Sequence, residues 1–410
     1  MMHQELIPHL FRTEFRKITA VLCKLFGIEH IEIAEDLASE TFLSALETWP
    51  YEGTPANPTA WLYTVAKNKA KNYLVRNKIF IGRIAGQLSK QEQDEAIEEP
   101  DLSEQNITDS QLQMLFSICT PLIPVEAQIG LALRILCGFS IDEIADAFTS
   151  NKETINKRLF RAKEKLRANN AIIGFPSPAE IPARLSAVLK ILYLLFNEGY
   201  YSESSDKLIR KEFCAEAIRL TTLLLENADT SLPEVKAVMA LMCLQASRLP
   251  ARVGNSGEMI LYDDQDEKKW NHELINRGAY WLEKAAEGNT YSTYHLEAAI
   301  ALCHTNKEDT KEKWENILQL YNQLLQLQYS PVAALNRTYA LAKARSPKLA
   351  IDEALKLKLA GNRFYHALLG ELYSDTDTEM AATHFNLAIS LTEHVAEKEP
   401  LLKRLKNISS

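Results

Sequence analysis

Apolar residues recur along this chain mainly at spacings of three and four positions. Such spacings place side chains on one face of an α-helix, whereas alternation of apolar and polar residues is typical of β-strands. Alternating segments are nearly absent, and only 14 of the 410 residues are Gly. The pattern therefore predicts an all-α protein.

Two interruptions divide the helical pattern. Between Gln91 and Leu133 there is no Lys or Arg, and the acidic stretch 92–110 is poor in apolar residues, as flexible linkers are. The second interruption is GFPSPAEIPARL at 174–185, whose prolines mark a boundary. The predicted division is a helical domain at 1–90, an acidic linker at 91–110, a second helical domain at 111–170, a proline-rich linker at 171–184 and a helical array at 185–410.

Small and aromatic residues alternate in the helical array. In the stretch 365–391 these positions are Gly370, Tyr373, Ala382, Phe385 and Ala388. Small residues allow two helices to approach closely, and aromatic rings fill the gaps beside them. The stretch 330–355 shows a similar pair. The array is therefore predicted to consist of helix hairpins that resemble degenerate tetratricopeptide repeats, without the regular period of about 34 residues.

Composition narrows the classes of function. The formal net charge of −8 excludes a nonspecific nucleic-acid coat, so any nucleic-acid contact has to come from local basic surfaces. The six cysteines are scattered, with no C-x-x-C spacing and no Cys/His cluster. This pattern predicts reduced, mostly buried thiols and no structural zinc. Neither a cofactor nor a metal is predicted.

The chain shows no pattern of a membrane protein. Its longest apolar stretch, LSAVLKILYLLF at 185–196, is interrupted by Lys190 and is too short to span a bilayer. The N-terminal residues mix acids and bases where a signal peptide needs an apolar core. We therefore expect a cytoplasmic protein.

Residues 151–167, NKETINKRLFRAKEKLR, concentrate seven Lys and Arg with only two acids. Asn151 is a suitable N-cap for a helix at this place. Four apolar residues recur at helical spacing and predict one buried stripe: Ile155, Leu159, Ala162 and Leu166. The basic residues would then face outward. Taken alone, this pattern also suits a helix whose charges are merely solvated.

The preceding stretch, FSIDEIADAFTS at 139–150, predicts another short helix. Ser140 is a suitable N-cap and Glu143 occupies the capping-box position, while the predicted buried residues are Ile141, Ile144, Ala145 and Phe148. Two short helices joined by a tight turn, the second basic, predict a helix-turn-helix that binds DNA in the major groove. The side chains predicted to reach base edges or phosphates are Lys152, Glu153, Thr154, Asn156, Lys157, Arg158, Arg161 and Lys165.

A second basic segment, at 61–90, holds seven Lys and Arg, no acid and several interleaved aromatic residues. Cations that follow the backbone and aromatic faces that receive unstacked bases suit single-stranded DNA. The candidate residues are Trp61, Tyr63, Asn68, Lys69, Asn72, Tyr73 and Arg76. The alternative is that the aromatic residues belong to the core, and for Trp61 alone this interpretation is favoured.

The stretch AEDLASETFLSALETW at 34–49 predicts an amphipathic helix with an acidic outer face. Its apolar positions are Leu37, Phe42, Ala45 and Leu46, and its outward acids are Asp36, Glu40 and Glu47. A protein-docking face and a solvated face explain this composition equally well.

In this order and spacing, the three segments resemble the extracytoplasmic-function type of sigma-70-like bacterial sigma factors. The resemblance implies that residues 34–49 dock on core RNA polymerase, that residues 57–76 recognise and melt the −10 element, and that residues 131–168 form sigma domain 4 and read the −35 element. The implied polymerase-binding residues are Asp36, Leu37, Glu40, Thr41 and Phe42. The implied partners are promoter DNA and the clamp helices and flap of the polymerase. The turn FTSN departs from the family, because Thr149 and Ser150 stand where a Gly and an apolar residue are common.

The residues beyond 185 resemble the long tetratricopeptide-like extension of one sigma subgroup. Within them, FNEGYY at 196–201 suggests a catalytic Glu–Tyr pair, but no nucleophile, metal cluster or phosphate loop accompanies it. We expect it to be a helix end at Gly199, and we expect no enzymatic activity. The loop YDDQDEKKWN at 262–271 lacks the spacing of a calcium loop.

The sequence thus predicts a sigma factor that binds core RNA polymerase and directs promoter-specific initiation. Residues 185–410 would regulate it, through an intramolecular contact or a partner protein. One alternative is a tetratricopeptide-type adaptor with a vestigial sigma half. Another is a dimeric repressor, which would leave the acidic helix and the aromatic-basic helix unexplained.

Overall fold

The structure is a computed structural model that describes residues 2–27, 30–85, 100–148, 150–169, 173–200, 211–252, 254, 260, 262–288, 291–392 and 395–408. Throughout these ranges the chain is helical, with turns between helices and no strand. The all-α prediction is therefore confirmed. The chain divides into two compact units, Met1–Leu194 and Leu195–Ser410. The finer functional division of the first unit stays a prediction.

The first unit is a bundle around its N-terminal helix. Its helices are α1 (Met2–Phe26), α2 (Ile31–Glu52), α3 (Pro58–Ala85), α4 (Glu104–Ile118), α5 (Val125–Leu131), α6 (Ile141–Ala147), α7 (Lys152–Ala168) and the first part of α8 (Ile181–Tyr200), with a π-helical segment Ala132–Leu136 after α5. Helix α1 packs against α2, α3, α4 and the π-helical segment. Its side chains Phe15, Ile18 and Leu22 are fully buried, so α1 provides the centre of the core.

A helix begins before the end of each predicted linker. Helix α4 begins at Glu104, because the Ser103 side chain accepts a hydrogen bond from the Asn106 amide and Ile107 is buried. After α7, the Phe175 ring lies 5.4 Å from that of Phe116, and α8 begins at Ile181. The linker residues 91–99, 171 and 172 lie outside the described residues.

Helix α7 packs closely on α5 at a glycine. A Cβ atom added to Gly130 would lie 2.9 Å from Cδ2 of Leu159, which is closer than carbon atoms normally approach. The absence of a side chain at Gly130 therefore lets α7 bury its apolar stripe against α5.

The second unit is a succession of antiparallel helix pairs. It contains α9 (Lys211–Glu226), α10 (Pro233–Ala246), α11 (Leu249–Arg252), α12 (His272–Ala285), α13 (Thr293–Cys303), α14 (Lys311–Leu327), α15 (Pro331–Ala344), α16 (Pro347–Leu357), α17 (Arg363–Tyr373), α18 (Thr378–Leu391) and α19 (Val395–Ile408). Most of these helices pack against the next helix in the chain. Two 3₁₀ turns, Tyr262–Asp264 and Glu267–Lys269, lie between α11 and α12.

The two helix pairs predicted at 330–355 and 365–391 are present as α15–α16 and α17–α18. In the second pair, a Cβ atom on Gly370 would meet the Phe385 ring at 2.9–3.0 Å. The small-and-aromatic pattern thus corresponds to a real close approach of two helices. The resemblance to tetratricopeptide repeats stays a prediction.

Two further expectations can be compared with the structure. All six cysteines are free, and five of them are buried, as expected for reduced structural thiols. Gly199, in contrast, does not end its helix, since α8 continues to Tyr200. The ring of Phe196 stacks on that of Tyr200 at 5.6 Å, so packing along α8 maintains the helix past the glycine. Tyr201 lies outside the described residues.

Candidate nucleic-acid and protein interfaces

Helices α6 and α7 begin with the caps that the sequence predicts. The Ser140 side chain accepts a hydrogen bond from the Glu143 amide at 3.2 Å, and the Glu143 carboxylate accepts one from the Ser140 amide at 2.8 Å. The Asn151 side chain accepts from the Thr154 amide at 2.8 Å. Helix α7 buries the four predicted residues: Ile155, Leu159, Ala162 and Leu166. The turn residue Thr149 lies outside the described residues.

The opposite side of α7 is polar and accessible. Seven of the eight predicted DNA-binding residues are exposed: Lys152, Glu153, Thr154, Asn156, Lys157, Arg161 and Lys165. Arg158 is half-buried, with its guanidinium carbon 5.5 Å from the centroid of the Phe148 ring.

Two of the lysines on this surface are already paired with carboxylates. Lys152 bonds to Asp142 and Lys157 to Glu153, both at 2.6 Å. Within the described ranges, Arg161 and Lys165 form no ion pair. These two cations are therefore the ones most available to an anionic partner such as DNA phosphate.

Three aromatic residues of α3 contact neighbouring helices. The Trp61 ring contacts that of Trp49 at 5.4 Å, and the Tyr73 ring contacts that of Phe26 at 5.5 Å. The Tyr63 hydroxyl donates a hydrogen bond to Glu14 at 2.6 Å, and burial together with this bond raises the pKa of Tyr63 far above its usual range. All three side chains are half-buried, so each ring has partners within the bundle, and its contact with unstacked bases stays a prediction.

The polar candidates of α3 do face solvent. Asn68, Asn72 and Arg76 are exposed and follow one another at a spacing of four, which places them on one helix face. The Lys69 ammonium is 3.3 Å from the Glu40 carboxylate of α2. The fully exposed candidates on α3 are therefore two amides and one arginine. Residues 86–90 of the predicted basic segment lie outside the described residues.

The predicted polymerase-binding set of α2 separates into two groups. Asp36 and Glu40 are exposed, but Leu37, Thr41 and Phe42 are buried. These three side chains belong to the core in this structure, so their direct contact with polymerase stays an untested prediction. The Phe42 ring, for example, lies 5.0 Å from that of Phe11 on α1. Leu37, Thr41 and Phe42 lie on the buried side of α2, opposite its acidic face.

Two apolar residues that sequence reasoning did not assign complete this face. Leu43 and Leu46 are 52% and 53% exposed, although Leu46 was expected to be buried. Asp36, Glu40 and Leu43 recur at helical spacing, so a mixed acidic and apolar surface runs along α2. The spacing of Leu43 from Glu40 was a signal available in the sequence. These leucines give the acidic face exposed apolar area, which is what the core of a protein interface buries.

Helices α2 and α7 are joined by an ion-pair cluster that no local pattern indicated. The Glu35 carboxylate accepts hydrogen bonds from Arg134 Nε at 2.8 Å and from Lys163 Nζ at 2.9 Å. Glu32, one turn earlier, lies 3.4 Å from Lys163 and 3.5 Å from Arg167. Glu35 is only 9% exposed. We refer to these five residues as the α2–α7 ion-pair cluster.

Over the described ranges, no group of three or more His, Cys, Asp or Glu side chains is arranged to hold a metal ion. None of the helices described has the length and apolarity that crossing a membrane requires.

Two known protein families each match one part of the chain. Residues 10–79, which span most of α1, α2 and most of α3, match sigma-70 region 2. Residues 184–286 match a family of unknown function, DUF6596. An uncharacterized protein of Rhizobium meliloti (strain 1021) is 33% identical over 386 residues, which cover 93% of this chain and 91% of that protein. No solved structure matches the chain.

Named relatives match the N-terminal part. The ECF RNA polymerase sigma-E factor of Escherichia coli (strain K12) is 30% identical over 135 residues, covering 32% of this chain and 70% of that protein. The sigma-E factor of Haemophilus influenzae is 27% identical over 139 residues, covering 32% of this chain and 71% of its own length. Together with the region 2 match, this similarity shows that the chain belongs to the sigma-70-like family of RNA polymerase sigma factors.

Proposed function

We propose that this protein binds core RNA polymerase and directs it to particular promoters, as a sigma factor of the extracytoplasmic-function type with a regulatory helical extension. The observation that carries the proposal is the arrangement of the first unit. Its surface has an acidic and apolar face on α2, a polar face on α3 and a basic face on α7. The family resemblance implies contacts in the same order along the chain: first with polymerase, then with the −10 element, and then with the −35 element.

On this proposal, the polymerase clamp helices bind the α2 face. Asp36 and Glu40 provide charge that steers and orients the partner, and the exposed Leu43 and Leu46 provide apolar area at the centre of the contact. The buried Phe42 acts indirectly, by holding the face in place.

The DNA contacts are proposed for α3 and for the α6–α7 pair. Asn68, Asn72 and Arg76 contact the −10 element from the exposed face of α3. The N-terminal residues of α7 approach base edges as the second helix of a helix-turn-helix, while Arg161 and Lys165 neutralise phosphates. Stacking of an unpaired base on Trp61 or Tyr73 requires that ring to leave its present neighbour, so we assign melting first to the polar residues.

We expect Arg161→Ala to weaken binding of the polymerase complex to promoter DNA, because Arg161 forms no ion pair in the described structure. The slope of log affinity against log salt concentration should fall by about one unit, similarly for different −35 sequences. Fluorescence anisotropy of labelled promoter DNA at several salt concentrations measures both quantities.

Arg167→Ala is the matched control for this experiment. Arg167 lies on the same helix, but it bonds to Glu164 at 2.7 Å and faces Glu32 at 3.5 Å. Its removal should leave the salt slope unchanged. An equal effect of the two substitutions would mean that α7 does not meet DNA through its exposed basic face.

Regulation by the second unit is the remaining part of the proposal. Its support is the Rhizobium meliloti relative, whose similarity runs through both units, so that the helical extension accompanies the sigma half in a second protein. The contacts of Phe175 and of Arg184 Nη2, which donates to the Phe116 carbonyl at 2.6 Å, belong to the first unit. A truncation that tests regulation should therefore end after Leu194 rather than after Asn170.

Transcription in vitro with purified core polymerase tests the proposal directly. Full-length protein should support promoter-specific initiation, and the truncation after Leu194 should change the amount of transcript several-fold. Absence of specific transcript with every promoter tried, together with normal folding, would favour the adaptor with a vestigial sigma half. Equal transcript from the full-length and truncated proteins would leave the sigma function in place and contradict the regulatory role.

A further inference from the structure

In the second unit, cationic and aromatic side chains converge on Tyr262. The guanidinium carbon of Arg248 lies 5.4 Å from the centroid of the Tyr262 ring, and Lys313 Nζ lies 5.6 Å from it. The ring of Trp270 stacks on that of Tyr262 at 6.3 Å, and the ring of His304 meets it edge-on at 5.2 Å. We refer to these five residues as the Tyr262 cluster.

Three members of the cluster carry buried polar atoms that lack a hydrogen-bond partner in the described structure: Arg248 Nε, Trp270 Nε1 and His304 Nδ1. Trp270 is only 4% exposed, so water does not satisfy its N–H from the surface. Arg252, four residues after Arg248, also has a buried nitrogen without a hydrogen-bond partner, Nη1. Its Cζ lies 4.1 Å from the centroid of the Tyr200 ring. Buried donors without acceptors are uncommon in native structures and call for an acceptor.

Among the described residues, Arg248 and Arg252 also lack a carboxylate partner. Neither guanidinium forms an ion pair with a carboxylate in the described part of the chain, which contrasts with other arginines of the same unit. Those that are paired include Arg219 with Glu216, Arg337 with Glu353, Arg345 with Glu315 and Arg404 with Glu371. A partly buried cation without a counter-charge is unfavourable, because burial removes its hydration.

The described carboxylates near the cluster form no ion pair with Arg248. Asp309 accepts hydrogen bonds from Trp314 and from Lys343. Asp263 and Glu267 are exposed, and they act on Tyr262 only through longer-range electrostatics.

Two cations of the cluster act on His304. Burial, together with the smaller effects of Arg248 and Lys313, lowers the pKa of His304 to about 3. The imidazole is therefore neutral, and the tautomer protonated at Nδ1 can donate a hydrogen bond from that atom. Burial also lowers the pKa of Lys313, against the opposite effect of Asp309 and Asp263.

We propose that the Tyr262 cluster binds a small oxyanion, a carboxylate or a phosphate group, with Arg248 and Trp270 as donors. A planar or tetrahedral oxyanion accepts hydrogen bonds from a guanidinium and from an indole N–H at once. It would supply both the missing acceptor and the missing negative charge. The site is built from the second unit alone, so its test does not depend on the proposed function in transcription.

The test is calorimetric titration of the full-length protein with inorganic phosphate and, separately, with succinate, at constant ionic strength in chloride. We expect saturable binding of at least one anion. Arg248→Gln should weaken that binding at least tenfold, because it removes the charge and keeps only a shorter, polar side chain. Arg345→Gln is the matched control, since Arg345 is exposed and paired with Glu315 at 3.0 Å, and its affinity should equal that of the unchanged protein.

Trp270→Phe provides a second variant, in case Arg248→Gln does not fold. It removes the indole N–H and keeps an aromatic ring, so binding should weaken several-fold while circular dichroism stays unchanged. Binding of phosphate but not succinate identifies a phosphate-bearing ligand, and the reverse identifies a carboxylate. Failure of both anions to bind above the chloride background, or equal affinity in a folded Arg248→Gln or Trp270→Phe variant, would overturn the proposal.

Discussion

Replacing Asp36 and Glu40 together by lysine is expected to abolish binding to core RNA polymerase while leaving the protein folded. Both carboxylates are exposed on α2 and lie on the face proposed to dock on the clamp helices. Reversal turns attraction into repulsion at the centre of that contact. Like charges at an interface cost several kcal/mol, and a loss of about 4 kcal/mol corresponds to roughly a thousandfold in Kd. Anisotropy of labelled protein titrated with core polymerase measures this loss.

The double substitution should not unfold the first unit. The described ion pair of Glu40 is with Lys69, at 3.3 Å, and more than half of the Glu40 side chain is exposed. An exposed pair of this kind contributes at most about 1 kcal/mol. Circular dichroism should therefore be unchanged, which separates loss of docking from loss of fold.

A charge-matched control comes from the second unit. Asp352 and Asp375 are exposed, and their joint replacement by lysine changes the net charge by the same amount without altering α2. Binding to polymerase should be unaffected. If the Asp36 and Glu40 reversal left the affinity within threefold of the unchanged protein, the acidic face of α2 would be solvated surface and the docking assignment would be wrong.

Local periodicity was enough to predict α7 and its cap. The stripe Ile155, Leu159, Ala162 and Leu166 is recognisable because four apolar residues interrupt an otherwise charged segment. The hydrogen bond of the Asn151 side chain depends only on residues three positions away. Signals of this range are encoded in the adjacent sequence, so they do not depend on how the rest of the chain packs.

Contacts between residues far apart in the sequence determine the features that periodicity alone does not predict. Tyr63 donates to Glu14, 49 positions away, and Lys163 reaches Glu35, 128 positions away. Periodicity indicates that a residue lies on a helix face, but not which other helix covers that face. For this reason periodicity left open whether the aromatic residues of α3 pack against other helices or receive DNA bases. The exposure of Leu46 was missed for the same reason.

The α2–α7 ion-pair cluster limits how far the two proposed DNA-binding helices can separate. Lys69 of α3 is held by Glu40, and Lys163 of α7 by Glu35. These carboxylates are five residues apart on α2, which corresponds to about 7.5 Å along the helix axis. Promoter elements near −10 and −35 lie about 85 Å apart along the DNA, at about 3.4 Å per base pair. On the proposed function, one chain contacts both elements only after this cluster has opened.

Most of the stability that the cluster gives the first unit should come from Glu35. We expect Glu35→Gln to lower the free energy of unfolding of the first unit by about 3 kcal/mol, because it leaves Arg134 and Lys163 without a buried counter-charge. Lys163 is only 12% exposed at its side chain, so water replaces the lost carboxylate poorly. Hydrogen exchange of the most protected α1 amides in the full-length protein measures the change, since these amides exchange through unfolding of the unit.

Glu32→Gln is the comparison that separates burial from charge. Glu32 lies one turn earlier on α2 and faces Lys163 and Arg167, but its side chain is 46% exposed. Its substitution should lower the free energy of unfolding by less than about 1 kcal/mol. If both substitutions had the same effect, net charge on α2 rather than the burial of Glu35 would hold α7 in place. Separation of α7 from α2 on the polymerase would then depend on salt concentration. The desolvated contact of Glu35 would not be what opposes that separation.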